Sequence, residues 1–182
     1  ERSHLELAEL WCRLVMPVGL EACDTFKHHG IDLLGDHRAD LPPEYLAWAD
    51  RCYDMRVLDL FRDQQVRSEI FDAIQGVFAE YDLLVTPGTA VPPFPVGLDN
   101  AAPMSGQPVR PLLWTPFTYP FNLTGQPASV VPCGFTADGL PVSLQLVGRR
   151  YDDAGVLRAS RAFEQVAPWA DRWHELATAE PT

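Results

Sequence analysis

Few residues in this chain have a type and spacing that could do chemistry. The single lysine, Lys27, stands beside His28 and His29. With His37 these histidines form a conceivable metal set, because imidazole nitrogens bind zinc. A polar, solvated loop accounts for them better. His174-Glu175 is not a zinc-protease signature, since no second histidine follows at the needed spacing. Asp152 and Asp153 would suit paired acids, but acids at the head of an apolar-periodic run also describe a helix cap. No two serines are adjacent, and none sits in a G-x-S-x-G elbow. Ser105-Gly106 reads as a turn. Cys133 has no basic neighbour in sequence to hold it as a thiolate. The residues assign no catalytic group and no metal ligand, and they imply no cofactor.

The informative stretch is residues 114–148. Pro116 and Pro120 fix their own φ, and each pushes its predecessor towards extended backbone. Phe117, Tyr119 and Phe121 are interleaved with them, so a stiff loop carries several rings. Gly125 and Pro127 punctuate the chain before a short apolar run, 128–131, which Cys133 to Phe135 would extend past Pro132. Asp138-Gly139 is a favoured turn pair. Val142, Leu144 and Leu146 then alternate with Ser143, Gln145 and Val147, which is strand periodicity. The reading is loop, strand, turn, strand, with the strands antiparallel.

These pieces need elements to hold them. Leu7, Leu10, Trp11, Leu14 and Val15 recur at helical spacing, and Ser3 with Glu6 forms a capping box. Pro17 and Gly19 predict a break or kink, with a second helix over 21–29 stopped by Gly30. Residues 35–43 read as loop. Pro42 and Pro43 suit the start of a long helix over 44–79, with a break near 63–65. Leu46, Ala49, Tyr53, Val57 and Leu60 make one apolar stripe, and Val66, Ile70, Phe71, Ile74, Val77 and Phe78 another. Both are expected to be core. Asp63 and Arg67 are spaced to pair on an exposed face. Residues 82–87 read as a short buried strand. A Pro-rich segment over 88–111 follows, too long for an ordinary connection. Asp152 or Asp153 caps a last helix with Val156, Leu157, Ser160, Phe163 and Val166 inward. Pro168 ends it, Trp169 and Trp173 pack back on the body, and the tail after Ala177 frays.

The run 120–165 resembles the C-terminal end of the amidase signature family, the Ser-Ser-Lys hydrolases of carboxamides. The resemblance rests on Asn122, Gly125 and Pro127, on Val131-Pro132, on Gly139-Leu140-Pro141, on Gln145 and Val147-Gly148, and on the acids that open the last helix. Residues 81–87 resemble the strand and loop that precede the family's Pro-rich segment. Ser143 departs from the pattern, standing where the family usually has Gly. It reads as a packing variant on a strand that a neighbour approaches closely, not as a nucleophile.

The resemblance implies an α/β fold, the C-terminal part of the amidase signature domain, with a mixed β-sheet flanked by helices. Residues 1–182 are then a single domain or a fragment, with 1–79 mainly helical and 80–182 holding strands, the Pro-rich loop and the last helix. It implies an acyl-enzyme mechanism whose serine is activated by a second serine and a lysine. None of that machinery maps onto this chain, so it is expected on a missing N-terminal portion, which is then the partner of this chain. By the same resemblance the loop over 113–119 lines the acyl pocket, and the substrate-binding candidates are Trp114, Thr115, Phe117 and Thr118. Glutamine-using amidotransferase subunits resembling this family carry an acid where Thr115 stands. Burying an ammonium here without one is costly, so the expected substrate is a small amide with an apolar or aromatic acyl group. The rivals are a non-catalytic amidase-like binding module and the A-type subunit of an amidotransferase.

Composition narrows the partners. The net charge is −11, which argues against nucleic acid or an anionic membrane surface. No run has the roughly 18 to 20 apolar residues of a membrane span. Cys12, Cys23, Cys52 and Cys133 show no C-x-x-C spacing and read as scattered buried thiols of a reducing, cytoplasmic setting. A chain excised from a wider sheet would expose a strand edge and apolar surface, so a homo-oligomer is expected.

Overall fold

The computed structural model describes residues 3–95 and 114–170. The expectations for Ser105-Gly106, Trp173, His174-Glu175, the Pro-rich segment from residue 96 to 111 and the tail lie outside the described residues. The chain divides into two compact units, Glu1–Phe71 and Asp72–Thr182, with the boundary inside one helix. No helix among the described residues is long and apolar enough to cross a membrane.

The first unit is helical. Helix α1 spans His4–His28 and opens with the expected capping box, Ser3 Oγ accepting from the Glu6 N–H and Glu6 answering on the Ser3 N–H. Its end is also as the residues predict. The Gly30 N–H donates to the Lys27 carbonyl and the Ile31 N–H to the Phe26 carbonyl, the paired bonds of a Schellman stop.

The middle of α1 differs from expectation, because the helix runs unbroken through Pro17. Pro17 removes one rung of the ladder. Burial on both sides of it, at Leu10, Cys12, Met16 and Cys23, holds the helix together. Gly19 does not kink the chain. A Cβ there would lie 3.2 Å from Tyr45 Oη, so glycine makes room for the tyrosine that reaches Cys23 Sγ at 3.4 Å. The polar loop that follows contains a 3₁₀ turn, Arg38–Asp40.

Helix α2 spans Pro43–Tyr53 with proline in its first turn, and it packs on α1. Helix α3 spans Val57–Glu80. The expected single long helix is thus broken at residues 54–56, not at 63–65. Asp59 in the first turn of α3 favours a start there, and Arg56 closes on its carboxylate at 2.9 and 3.1 Å. Asp63 is not on an exposed face. It is buried, and Arg13 meets it with two hydrogen bonds of 2.7 and 2.8 Å. The first apolar stripe is core only in part, since Ala49 is buried while Tyr53 and Val57 are exposed.

The second unit holds a three-stranded sheet in the order β1-β3-β2, from β1 at Leu84–Pro87, β2 at Ala128–Phe135 and β3 at Pro141–Val147. Both pairings are antiparallel. The hairpin between β2 and β3 closes as expected, with the Gly139 N–H on the Thr136 carbonyl and the Thr136 N–H on that of Leu140. β2 runs on past Pro132 to Phe135, and its register shifts between Pro132 and Gly134. Proline is tolerated because β2 is an edge strand. β1 is the other edge and is half exposed, with Val85 facing out.

The core of this unit is Phe78, Phe121 and Val147, with Ile74 and Leu84 against them. Helix α5 spans Asp153–Val166 and packs on β2 and β3. Asp152 caps it by accepting from the Gly155 N–H at 2.9 Å. Val156 and Ser160 are buried, whereas Leu157 and Val166, also expected inward, are exposed.

Candidate functional site

The candidate residues sit on the turn that enters the sheet. Residues 114–118 lead into a short helix, α4, at Tyr119–Thr124, where the sequence predicts only a stiff loop. Pro120 lies in the first turn, where a missing N–H leaves no intrahelical bond unmade. Tyr119, Phe121, Leu123 and Thr124 are buried, so the short helix is enclosed on more than one side, and Gly125 ends it in the left-handed conformation. Burial also raises the Tyr119 hydroxyl above its usual titration range. The Thr124 hydroxyl has one hydrogen to give, and the Pro120 carbonyl takes it at 3.0 Å. The same hydroxyl also faces Oε1 of the buried Gln126 amide, so these two acceptors share one donor.

One side chain fastens the loop to the sheet. Gln145 on β3 is 3% exposed. Its Nε2 donates to the Phe117 carbonyl at 2.7 Å and to Thr86 Oγ1 at 2.9 Å. The carbonyl can only accept, so the amide orientation is fixed. Thr86 passes its own hydrogen to the Pro87 carbonyl at 3.0 Å. β1, β3 and the 114–118 loop therefore meet at one buried amide. Strand alternation puts Ser143 on the same face of β3 as Gln145.

Beside this junction lies an open cleft of about 460 Å³, within the size range of small-molecule sites. Its walls are apolar and include Pro87, Val91, Phe94, Trp114 and Val142, with Ser143 among them. Phe94 and Trp114 meet edge to face, their ring centroids 5.6 Å apart and their planes at 83°. The Ala90 N–H donates to the Trp114 carbonyl at 3.0 Å, joining the start of the Pro-rich segment to the loop. None of the described lining residues is titratable.

Of the four candidates, Trp114 lines the cleft. Thr115, Phe117 and Thr118 are half-buried and build the loop that carries it. The Thr118 hydroxyl donates to the Thr115 carbonyl at 3.0 Å, and the Thr118 carbonyl receives the first N–H groups of α4. Sequence reasoning does not find Phe94, because nothing in a Pro-rich run says which of its residues folds back. It singles out Ser143 only as a packing variant. The structure supplies the close neighbour, since a Cβ on Gly88 would collide with Ser143 Oγ. The histidines are engaged locally, His29 Nδ1 by the Thr25 carbonyl at 2.8 Å and His37 Nδ1 by Asp40 at 3.1 Å.

A family model described as Amidase matches residues 51–157. An acylamidase of Rhodococcus erythropolis is 41% identical over 117 residues, which are 63% of this chain and 24% of that protein. The A-type subunit of the glutamyl-tRNA(Gln) amidotransferase of Chloroflexus aggregans is 45% identical over 118 residues, 65% of this chain and 23% of that protein. Among solved structures, a bacterial aryl acylamidase of the amidase signature enzymes superposes over 100% of this chain and 37% of its own, with a TM-score of 0.86 and 32% identity. The chain thus spans about a quarter of the length of the curated relatives it matches.

Proposed function

This chain belongs to the amidase signature family, and from that premise we propose that it forms the acyl-binding side of a carboxamide hydrolase whose catalytic Ser-Ser-Lys set lies outside it. The observation that carries the reading is the cleft at the loop pinned by Gln145, whose described walls carry two aromatic rings and no charge. Trp114 supplies the wall, and Thr115, Phe117 and Thr118 shape the loop beside the acyl group. The reaction is amide plus water to carboxylate plus ammonia or amine. An apolar or aromatic acyl group suits these walls, and the likeness to an acylamidase and to an aryl acylamidase supports hydrolysis of an acyl amide. We read residues 1–182 as one stretch of a larger domain. The four free thiols favour a cytoplasmic setting. The open edges of β1 and β2 favour self-association of the isolated chain.

The 45% identity to an amidotransferase component favours a second reading, in which the amide is that of glutamine. Its ammonium would need a carboxylate, and the described lining of the cleft has none. Joined to its catalytic portion, the enzyme should hydrolyse benzamide-type amides faster than free glutamine. The reverse order would replace the first reading with the second. The chain alone should show an unmodified 20.3 kDa mass after fluorophosphonate treatment. A stoichiometric adduct would place an activated serine within these residues and overturn the proposal.

A further inference from the structure

Ser143 is the one polar side chain on β3 that reaches the cleft. Its Oγ lies over Gly88, close enough that any side chain there would collide with it. The Gly88 N–H donates to the Ser143 carbonyl at 3.0 Å, so the backbone at this point is held. Among the described residues the Ser143 hydroxyl makes no hydrogen bond, and the residue is only half-buried. A hydroxyl placed beside Val142, Pro87 and the Phe94–Trp114 pair is thus open to whatever fills the cleft.

An apolar ligand would strip water from this hydroxyl and return nothing. A ligand with a matching polar atom would restore the bond. Sites that hydrogen-bond a substrate hydroxyl discriminate against the analogue lacking it for this reason. We propose that Ser143 is a specificity-determining residue of the cleft, selecting aromatic acyl groups that carry a ring hydroxyl over unsubstituted ones. This rests on the acyl-pocket reading above. No bond is made or broken at Ser143. Its hydroxyl gives or receives one hydrogen bond, and among the described lining residues there is no base to activate it.

The test uses the 182-residue chain and ligand-observed NMR titration with benzamide, 3-hydroxybenzamide and 4-hydroxybenzamide. One of the hydroxylated amides should bind about three- to tenfold more tightly than benzamide, the range of one net hydrogen bond. Ser143→Ala and Ser143→Gly should each bring that ratio close to one. The second variant decides if the first fails to fold, as checked by circular dichroism. Trp114→Ala should weaken all three amides. If all three bind in a Trp114-dependent way and the ratio survives loss of the hydroxyl, the role given to Ser143 is wrong while the acyl pocket stands. If none binds, or Trp114→Ala has no effect, the pocket reading falls and takes this inference with it.

Discussion

Replacing Gln145 with leucine tests how the candidate loop is held. Leucine keeps most of the side-chain volume, so the packing loss is small. The two donors to Phe117 and Thr86 disappear. Each such bond contributes roughly 0.5–1.5 kcal/mol net, and a stranded carbonyl costs roughly 1–3 kcal/mol. Thr86 keeps its bond to the Pro87 carbonyl, so the change takes one donor from the half-buried Phe117 carbonyl and does not leave Thr86 unpaired. The two lost bonds come to about 1 to 3 kcal/mol, or ~2 to 12 °C in Tm for a chain of this size. Urea unfolding of the 182-residue chain gives the stability. Amide hydrogen exchange at 115–121 reports the loop, where the Thr118 and Phe121 N–H groups make the local bonds. Thr86→Val, which leaves the Phe117 bond in place, should cost only about 1 kcal/mol and leave loop exchange slow. A Gln145→Leu chain within 0.5 kcal/mol of the parent, roughly the limit for a surface change, and with unaltered exchange would refute the argument.

Two further outcomes follow from the first unit. Arg13→Met leaves the Asp63 carboxylate, 7% exposed, without its two-point partner, and should cost about 2–4 kcal/mol. The double change Arg13→Met, Asp63→Leu should recover most of that in urea unfolding, and a double variant no better than the single would show that the pair is not what holds this contact. Burial, with the nearby Cys52 adding to it, pushes the Cys12 thiol from 9.0 up to about 11. The folded chain therefore keeps a proton that the unfolded chain releases, so stability is full below pH 9 and declines between about 9 and 11. The decline is about 2–3 kcal/mol at 1.36 kcal/mol per unit. Cys12→Ala should flatten that part of the pH profile, and an unchanged slope would remove Cys12 as its source.

Local signals in this chain are readable and tertiary choices are not. Ser3 with Glu6, Gly30 and Asp152 each act within four residues, and the structure shows all three as caps. The hairpin over 128–147 is legible because period-two alternation and Asp138-Gly139 agree. Pro17 misleads because a proline penalty of roughly 3 kcal/mol is smaller than the burial around it. Pro120 misleads because the same residue that stiffens a loop also starts a helix. Spacing alone puts Leu157, Val166 and Val57 in the core, and all three are exposed. Periodicity says that a face is apolar, not what covers it. The cleft is half legible. Trp114 comes from the resemblance, while Phe94 and Ser143 depend on contacts that no spacing encodes.

The fit between Gly88 and Ser143 constrains how these two positions can change over time. A methyl at residue 88 would overlap Ser143 Oγ, with Val130 Cγ1 at 3.3 Å. Alanine at 88 therefore requires the Ser143 hydroxyl to turn away, or residue 143 to lose it. The order of substitution matters, and the same change is harmful on one background and tolerated on another. A lineage that acquired the serine would find glycine favoured across the strand pair, so the two sites would vary together.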